Sequence, residues 1–174
     1  IAPAHHRRIA AGILSWGQDM DFETLPFQCN LGYQVPRNKK AEYVGKEALE
    51  TVRKQLEEGN TPFKTTLVGM EFGGKQIDDY APDFWLISGH EGGDAIGYVT
   101  SPWYSPELET NIAMGYVPCG MHSVGTKLQI HLPDEYAETP GVPVMAEVVE
   151  IPFRPSANPS ARELAKAEGR GTAF

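Results

Sequence analysis

Between Thr65 and Phe153, apolar and polar residues alternate with a period of two. That period puts alternate side chains on opposite faces of a pleated strand, so it predicts strands with one buried face. Six runs carry it: "TTLVGMEF", "DFWLIS", "AIGYVTS", "NIAMGYV", "TKLQIHL" and "VMAEVVEI", separated by Gly, Pro and Asp turns. So many short strands in so short a span predict a closed or nearly closed antiparallel barrel. "GHEGGDAIG" lacks the spacing of a phosphate-binding loop and reads as a hairpin connection. "SPWYSPELETN" separates two Gly-Tyr-Val triplets that begin at Gly97 and Gly115. Pro102 and Pro106 cannot donate to a ladder, and Ser101, Ser105 and Asn111 favour local bonds, so this stretch predicts a stiff crossover rather than continuing strand. Trp103 and Tyr104 within it read as packing residues, the alternative being a ligand contact.

Upstream of Thr65 the pattern is different. Ile9, Ile13 and Trp16 recur at helical spacing, with Gly17 placed to end the helix. Trp16 there reads as a core anchor, the alternative being a flat wall for a planar ligand. "FQCNLGYQV" alternates at Phe27, Cys29, Leu31 and Tyr33 and reads as a strand. "GKEALETVRKQLEEG" reads as a helix with an apolar stripe of Leu49, Val52 and Leu56, i,i+4 pairs Glu50–Lys54 and Arg53–Glu57, and Gly59-Asn60 at its end. The expected fold class is α+β: a helix-strand-helix segment over residues 1–60, an antiparallel six-stranded barrel over 62–153, and a polar tail over 154–174. In the tail, Ser160 and Glu163 form a capping-box pattern.

Composition narrows the function. A chain of 174 residues with 41% hydrophobic content can bury a core. Its net charge of −8 argues against a general nucleic-acid binder, and Arg7-Arg8 and Arg37-Lys39-Lys40 read as solvated surface. No stretch approaches the roughly 18 apolar residues that span a bilayer. Cys29 and Cys119, far apart and without a partner motif, read as buried thiols in a reducing cytoplasm. No Gly-x-Ser-x-Gly elbow is present. His5 and His6 are adjacent and point apart on a helix, and His90, His122 and His131 are scattered, so no zinc site is expected. Asp19/Asp21 and Asp78/Asp79 are candidate acid–base pairs by type, but Asp19 and Asp21 follow a helix end and precede Pro26, which favours turn-forming work. The chain opens at Ile1, so it reads as a piece of something longer.

Three stretches, in order, resemble one family. "RRIAAGILSWGQDMDFETLPFQCNLGYQV" resembles the helix-turn-strand segment of the glycine-cleavage T-protein (aminomethyltransferase) superfamily, "YVGKEAL" its second helix start, and "IGYVTSPWYSPELETNIAMGYVP" with "GTKLQIHL" and "VMAEVVEIPF" its carboxy-terminal barrel. The wording of the first stretch is closest to tetrahydrofolate-dependent demethylases that act on vanillate-like aryl ethers or on dimethylsulfoniopropionate. The resemblance implies three domains in a ring around a folate channel, with residues 1–60 the last part of the catalytic body. It implies transfer of a one-carbon unit from an amine, sulfonium or aryl ether to tetrahydrofolate. The residue for proton chemistry would lie in an amino-terminal half that acts as partner, so no catalytic residue is expected here and the isolated chain should be inactive.

By the same resemblance Trp16, Arg8 and His5 are the candidate folate-binding residues, Arg8 having the alternative role of tying down the following turn. The departures matter. The family's glutamate falls at Ala10, its tyrosine at Trp16, a folate-contacting arginine at Ala4 and a folate-contacting tyrosine at Asn158. These losses argue against glycine cleavage itself and leave the demethylase branch open. Two other kinds of relative fit the resemblance: a non-catalytic folate-binding scaffold, and the terminal domain of a flavin-dependent sarcosine or dimethylglycine oxidoreductase.

Overall fold

The computed structural model describes residues 4–37, 39–81 and 83–153; the tail, with Asn158, Ser160 and Glu163, lies outside them. Two compact units divide these residues. One joins the segment up to Phe22 with the segment from Thr65 onward, and the other is Glu23–Lys64. The stretch carrying His5, Arg8 and Trp16 is thus grouped with the barrel.

All six expected strands form: β1 (Thr65–Phe72), β2 (Trp85–Ser88), β3 (Ala95–Ser105), β4 (Thr110–Pro118), β5 (Lys127–Ile130) and β6 (Val144–Val149). They close into a barrel in the order β1-β4-β3-β2-β5-β6, every neighbouring pair antiparallel. Closure removes the exposed strand edges that would otherwise recruit other chains. Met70, Ile87, Val99, Val117, Leu128 and Ile130 fill the interior, each at most 1% exposed. The two Gly-Tyr-Val triplets face each other. Tyr98 pairs with Tyr116, ring centroids 5.5 Å apart, and Val99 pairs with Gly115. A Cβ at Gly97 would stand 2.1 Å from the Tyr116 carbonyl oxygen, so the close approach itself demands glycine.

The crossover expected at "SPWYSPELETN" does not exist. β3 continues through Pro102 to Ser105, and only Pro106 to Glu109 separate it from β4, with Trp103 opposite Ile112 and Tyr104 opposite Asn111. The reason is the direction of one N–H. Tyr104 N–H donates to Ile77 O at 2.8 Å, away from β4. Backbone donors alternate sides along a strand, so the Pro102 nitrogen, two residues earlier, also faces away from β4 and the ladder loses no bond. Pairing of β3 with β2 has already ended at Val99 opposite Trp85.

The first helix is shorter than its spacing predicts. α1 spans His5–Ala10, and Gly12, not Gly17, ends it. Gly12 N–H donates to Ile9 O (2.9 Å) and Ile13 N–H to Arg8 O (2.8 Å), with Gly12 at φ +66°, a Schellman closure that places Ile13 and Trp16 beyond the helix. Phe153 N–H donates to Ala10 O at 3.0 Å, which fastens the helix end to the segment after β6.

In the second unit the helix forms as expected: α2 spans Lys46–Glu57, and Gly59 N–H and Asn60 N–H return to Leu56 O and Gln55 O. Its charges pair differently, Lys46 with Glu42 and Arg37 with Glu57, while Arg53 donates to Val35 O at 2.8 Å and lies over the Phe27 ring. "FQCNLGYQV" is not a strand. Leu31 N–H donates to Pro26 O at 2.7 Å around Asn30, held at φ +61°, and a 3₁₀ turn follows over Gly32–Gln34. Phe27 and Cys29 are buried as the alternation suggests, but asparagine's tolerance of left-handed backbone turns the chain there instead of extending it.

Candidate functional site

The candidate site is the turn after α1 and the stretch of β3 beneath it. β3 carries a register shift between Val99 and Ser101: Val99 pairs with Gly115 and Ser101 with Met114, so Thr100 is the inserted residue of a bulge. Along a regular strand consecutive side chains point to opposite faces. The bulge suspends that rule. Thr100 Oγ1 and Ser101 Oγ both donate to Asp19 Oδ1, each at 2.6 Å. The other carboxylate oxygen, Oδ2, accepts the Arg8 guanidinium at 2.8 Å and the Ser15 N–H at 2.8 Å. Four donors meet one carboxylate, which matches its acceptor capacity. Tyr116 adds a fifth tie from its hydroxyl to the Asp19 backbone oxygen at 2.7 Å.

Arg8 is occupied in the same way. Besides Asp19 it donates to Ile13 O (3.2 Å), Gln18 Oε1 (3.0 Å) and Ser101 Oγ (2.8 Å), and Gln18 Nε2 donates on to Thr100 O at 2.7 Å. Arg8 is 5% exposed and Asp19 1%, so the solvated surface expected at Arg8 is corrected: only its neighbour Arg7 faces water. A buried guanidinium is tolerated because it meets a buried carboxylate and several acceptors at once. Its Nε alone is buried with no partner among the described residues.

Trp16 sits on the turn that this network holds. Ser15 before it is tied through its N–H to Asp19, and Gly17 after it donates to Met20 O at 2.8 Å. The indole is 57% exposed and touches Phe22 edge-on at 4.8 Å. The core role expected from its spacing is therefore corrected: with the helix ended at Gly12, the residue falls on a turn whose side chain points outward. Phe22, 95% exposed, widens the aromatic surface. His5 is placed elsewhere, stacked on Trp103 at 5.6 Å and 10°, with Tyr80 at 5.2 Å.

Asp19 is the residue that sequence reasoning undervalued. Turn work is part of what it does, through Ser15, but its main role is to bind a strand more than eighty positions away (|i−j| of 81 and 82). Nothing along the chain marks Thr100, Ser101 and Tyr116 as its partners: Ser101 reads as a former of local bonds, and hydroxyls in a strand carry no mark of a bulge. Asp79 does local work, accepting the N–H of Tyr80 at 2.7 Å.

Other chemistry is sparse. Burial pushes the Cys29 thiol from 9.0 up to about 11 and raises Cys119 too, so neither is set up as a thiolate nucleophile. Tyr98 is raised by burial and by the nearby charge of Asp21. Among the described residues, no group of three or more His, Cys, Asp or Glu side chains could hold a metal ion, and no helix is long and apolar enough to cross a membrane.

Residues 66–154 match the family model described as "Glycine cleavage T-protein C-terminal barrel domain". An aminomethyltransferase of Prochlorococcus marinus (strain MIT 9313) is 32% identical over 151 residues, 86% of this chain and 36% of the relative. One from Synechocystis sp. (strain ATCC 27184 / PCC 6803 / Kazusa) is 34% identical over 125 residues, 72% of this chain and 31% of the relative. Among solved structures, glycine cleavage system aminomethyltransferase T from Bartonella henselae superposes with a TM-score of 0.67 at 27% identity, covering 86% of this chain and 37% of that one. The chain spans about a third of the length of these relatives. With the closed six-stranded barrel where the family model falls, the chain belongs to the glycine cleavage T-protein family and carries its C-terminal barrel domain.

Proposed function

We propose that the complete protein is a tetrahydrofolate-dependent one-carbon transferase of the demethylase kind, and that this chain supplies its barrel and one wall of the folate site. Family membership carries the reading. The exposed Trp16 on a fastened turn supports the folate wall, since a pterin is planar and polarisable and binds well against an aromatic face. The residues fit such a ligand in part. Trp16 offers an open indole, whereas the terminal nitrogens of Arg8 are spent within the chain, so Arg8 serves the site from behind. When bound, tetrahydrofolate supplies the nitrogen that takes up the one-carbon unit. The contribution of this chain is positioning, and holding reactants in near-attack geometry is worth roughly 7–11 kcal/mol in favourable cases.

The amino-terminal half would supply the acid or base and the pocket for the methyl donor. The departures at Ala10 and Trp16 favour an aryl ether or sulfonium donor over glycine cleavage. A reducing, cytoplasmic setting belongs to the same reading. The test is turnover by the full-length protein with tetrahydrofolate and, in turn, a vanillate-type methyl ether, dimethylsulfoniopropionate and an aminomethyl donor, with methyltetrahydrofolate or methylenetetrahydrofolate as the product followed. Methyl transfer from the ether or the sulfonium is expected. Folate binding without turnover of any donor would replace the enzyme by a folate-binding scaffold.

A further inference from the structure

Trp16 is exposed, yet it is flanked by fixed backbone: Ser15 N–H is held by Asp19 Oδ2 and Gly17 N–H by Met20 O. An exposed indole whose main chain is fixed on both sides loses less freedom when it meets a ligand, the general advantage of preorganisation. What fixes it is an irregularity. Without the bulge, Thr100 and Ser101 would face opposite sides of β3 and could not both reach Asp19 Oδ1.

We propose that the β3 bulge is a positioning device: Thr100 and Ser101 lock Asp19, Asp19 locks the Ser15–Met20 turn, and the turn aims Trp16 at the planar ligand. The inference rests on the reading of Trp16 as a folate wall, but the lock itself can be examined without folate. Thr100, Ser101 and Asp19 touch no ligand in this scheme; they act through the turn. Arg8 completes the lock by bonding Asp19, Ser101 and Ile13 O together.

The experiment uses the full-length protein labelled with 5-fluorotryptophan and read by fluorine NMR, the Trp16 resonance being assigned by its loss in Trp16→Phe. Trp85, 6% exposed within the barrel core, reports on folding in the same spectrum. Ser101→Ala and Thr100→Val are expected to shift or split the Trp16 resonance and leave Trp85 in place. Thr100→Ser, which keeps the hydroxyl, should restore the wild-type Trp16 signal. Thr100→Val preserves side-chain shape and carries the test should Ser101→Ala disturb Trp85. An unmoved Trp16 resonance in folded Thr100→Val overturns the lock.

Titration of the same variants with tetrahydrofolate separates this inference from the reading beneath it. Trp16→Ala should raise Kd by roughly 5- to 150-fold, the range of aromatic stacking on a base, and the hydroxyl variants by part of that factor. If Trp16→Ala weakens binding and the hydroxyl variants bind as wild type, the positioning role is wrong. If Trp16→Ala itself has no effect, the folate-wall reading fails while the fluorine result still judges the lock.

Discussion

The inside of the barrel and the lock at its β3 bulge are both buried, and they hold together on opposite principles. The barrel interior is apolar: Met70, Ile87, Leu128 and Ile130 need only fill space at the right density. The lock is polar, and each member is acceptable there only because the others are present. Arg8 without Asp19 would be a buried, uncompensated charge; Asp19 without Thr100 and Ser101 would have an oxygen with no donor. An apolar core therefore degrades by degrees, whereas a buried polar network fails as a unit. A protein that needs a sturdy frame and one accurately aimed surface has reason to use both.

The sharpest way to break that contrast is at Asp19. Asp19→Ala should cost about 3–5 kcal/mol of stability in chemical denaturation, the usual cost of orphaning a buried ion-pair partner. Combining it with Arg8→Met should cost clearly less than the sum of the two single changes, because the second removes the stranded charge. Strict additivity of the pair would mean that Arg8 and Asp19 are not coupled. In the barrel interior, Leu128→Ala should cost about 2–5 kcal/mol through lost burial and the cavity left behind. Added to Asp19→Ala, its cost should simply sum, since the two residues share no bonding partner.

What could be read from the sequence follows the same division. β5 and β6 were legible because a strand with one buried face writes a period of two; β1 and β4, buried on both faces, were marked instead by β-branched and apolar bulk between turn residues, and α2 by Leu49, Val52 and Leu56 lining one side of it. "FQCNLGYQV" misled because Phe27 and Cys29 are buried in alternation by a turn, with Asn30 in left-handed backbone, and alternation alone does not distinguish the two. Pro102 misled because its effect depends on which side of β3 its nitrogen faces. The lock was least legible. Arg8 looked like half of a basic dipeptide, and its partner Ser101 lies 93 positions along the chain. Trp16 was legible only as an aromatic of two possible fates, since the answer turned on Gly12 ending the helix first.

The unit Glu23–Lys64 offers a smaller test of burial as a source of pH dependence. Burial raises the Cys29 thiol from 9.0 to about 11, so the folded state holds this proton more tightly than the unfolded state. Its contribution is fully present below pH 9.0 and is lost as the pH rises toward about 11. Hydrogen exchange of peptides from 23–64, taken relative to the intrinsic base-catalysed rate at each pH, should accelerate across that window. Cys29→Ala should flatten the change and leave behaviour at pH 7 nearly as before; the same acceleration in the variant would assign it to another group.

For this chain to form part of a folate site, Trp16 must be a ligand surface rather than an accident of the turn. The direct measurement is calorimetric titration of the full-length protein and its Trp16→Ala variant with tetrahydrofolate, each corrected for folded fraction. A loss of about 1–3 kcal/mol in binding, the size of aromatic stacking, with an unchanged melting temperature is the predicted result. Equal affinity in the two folded proteins would contradict it and remove Trp16 from the site.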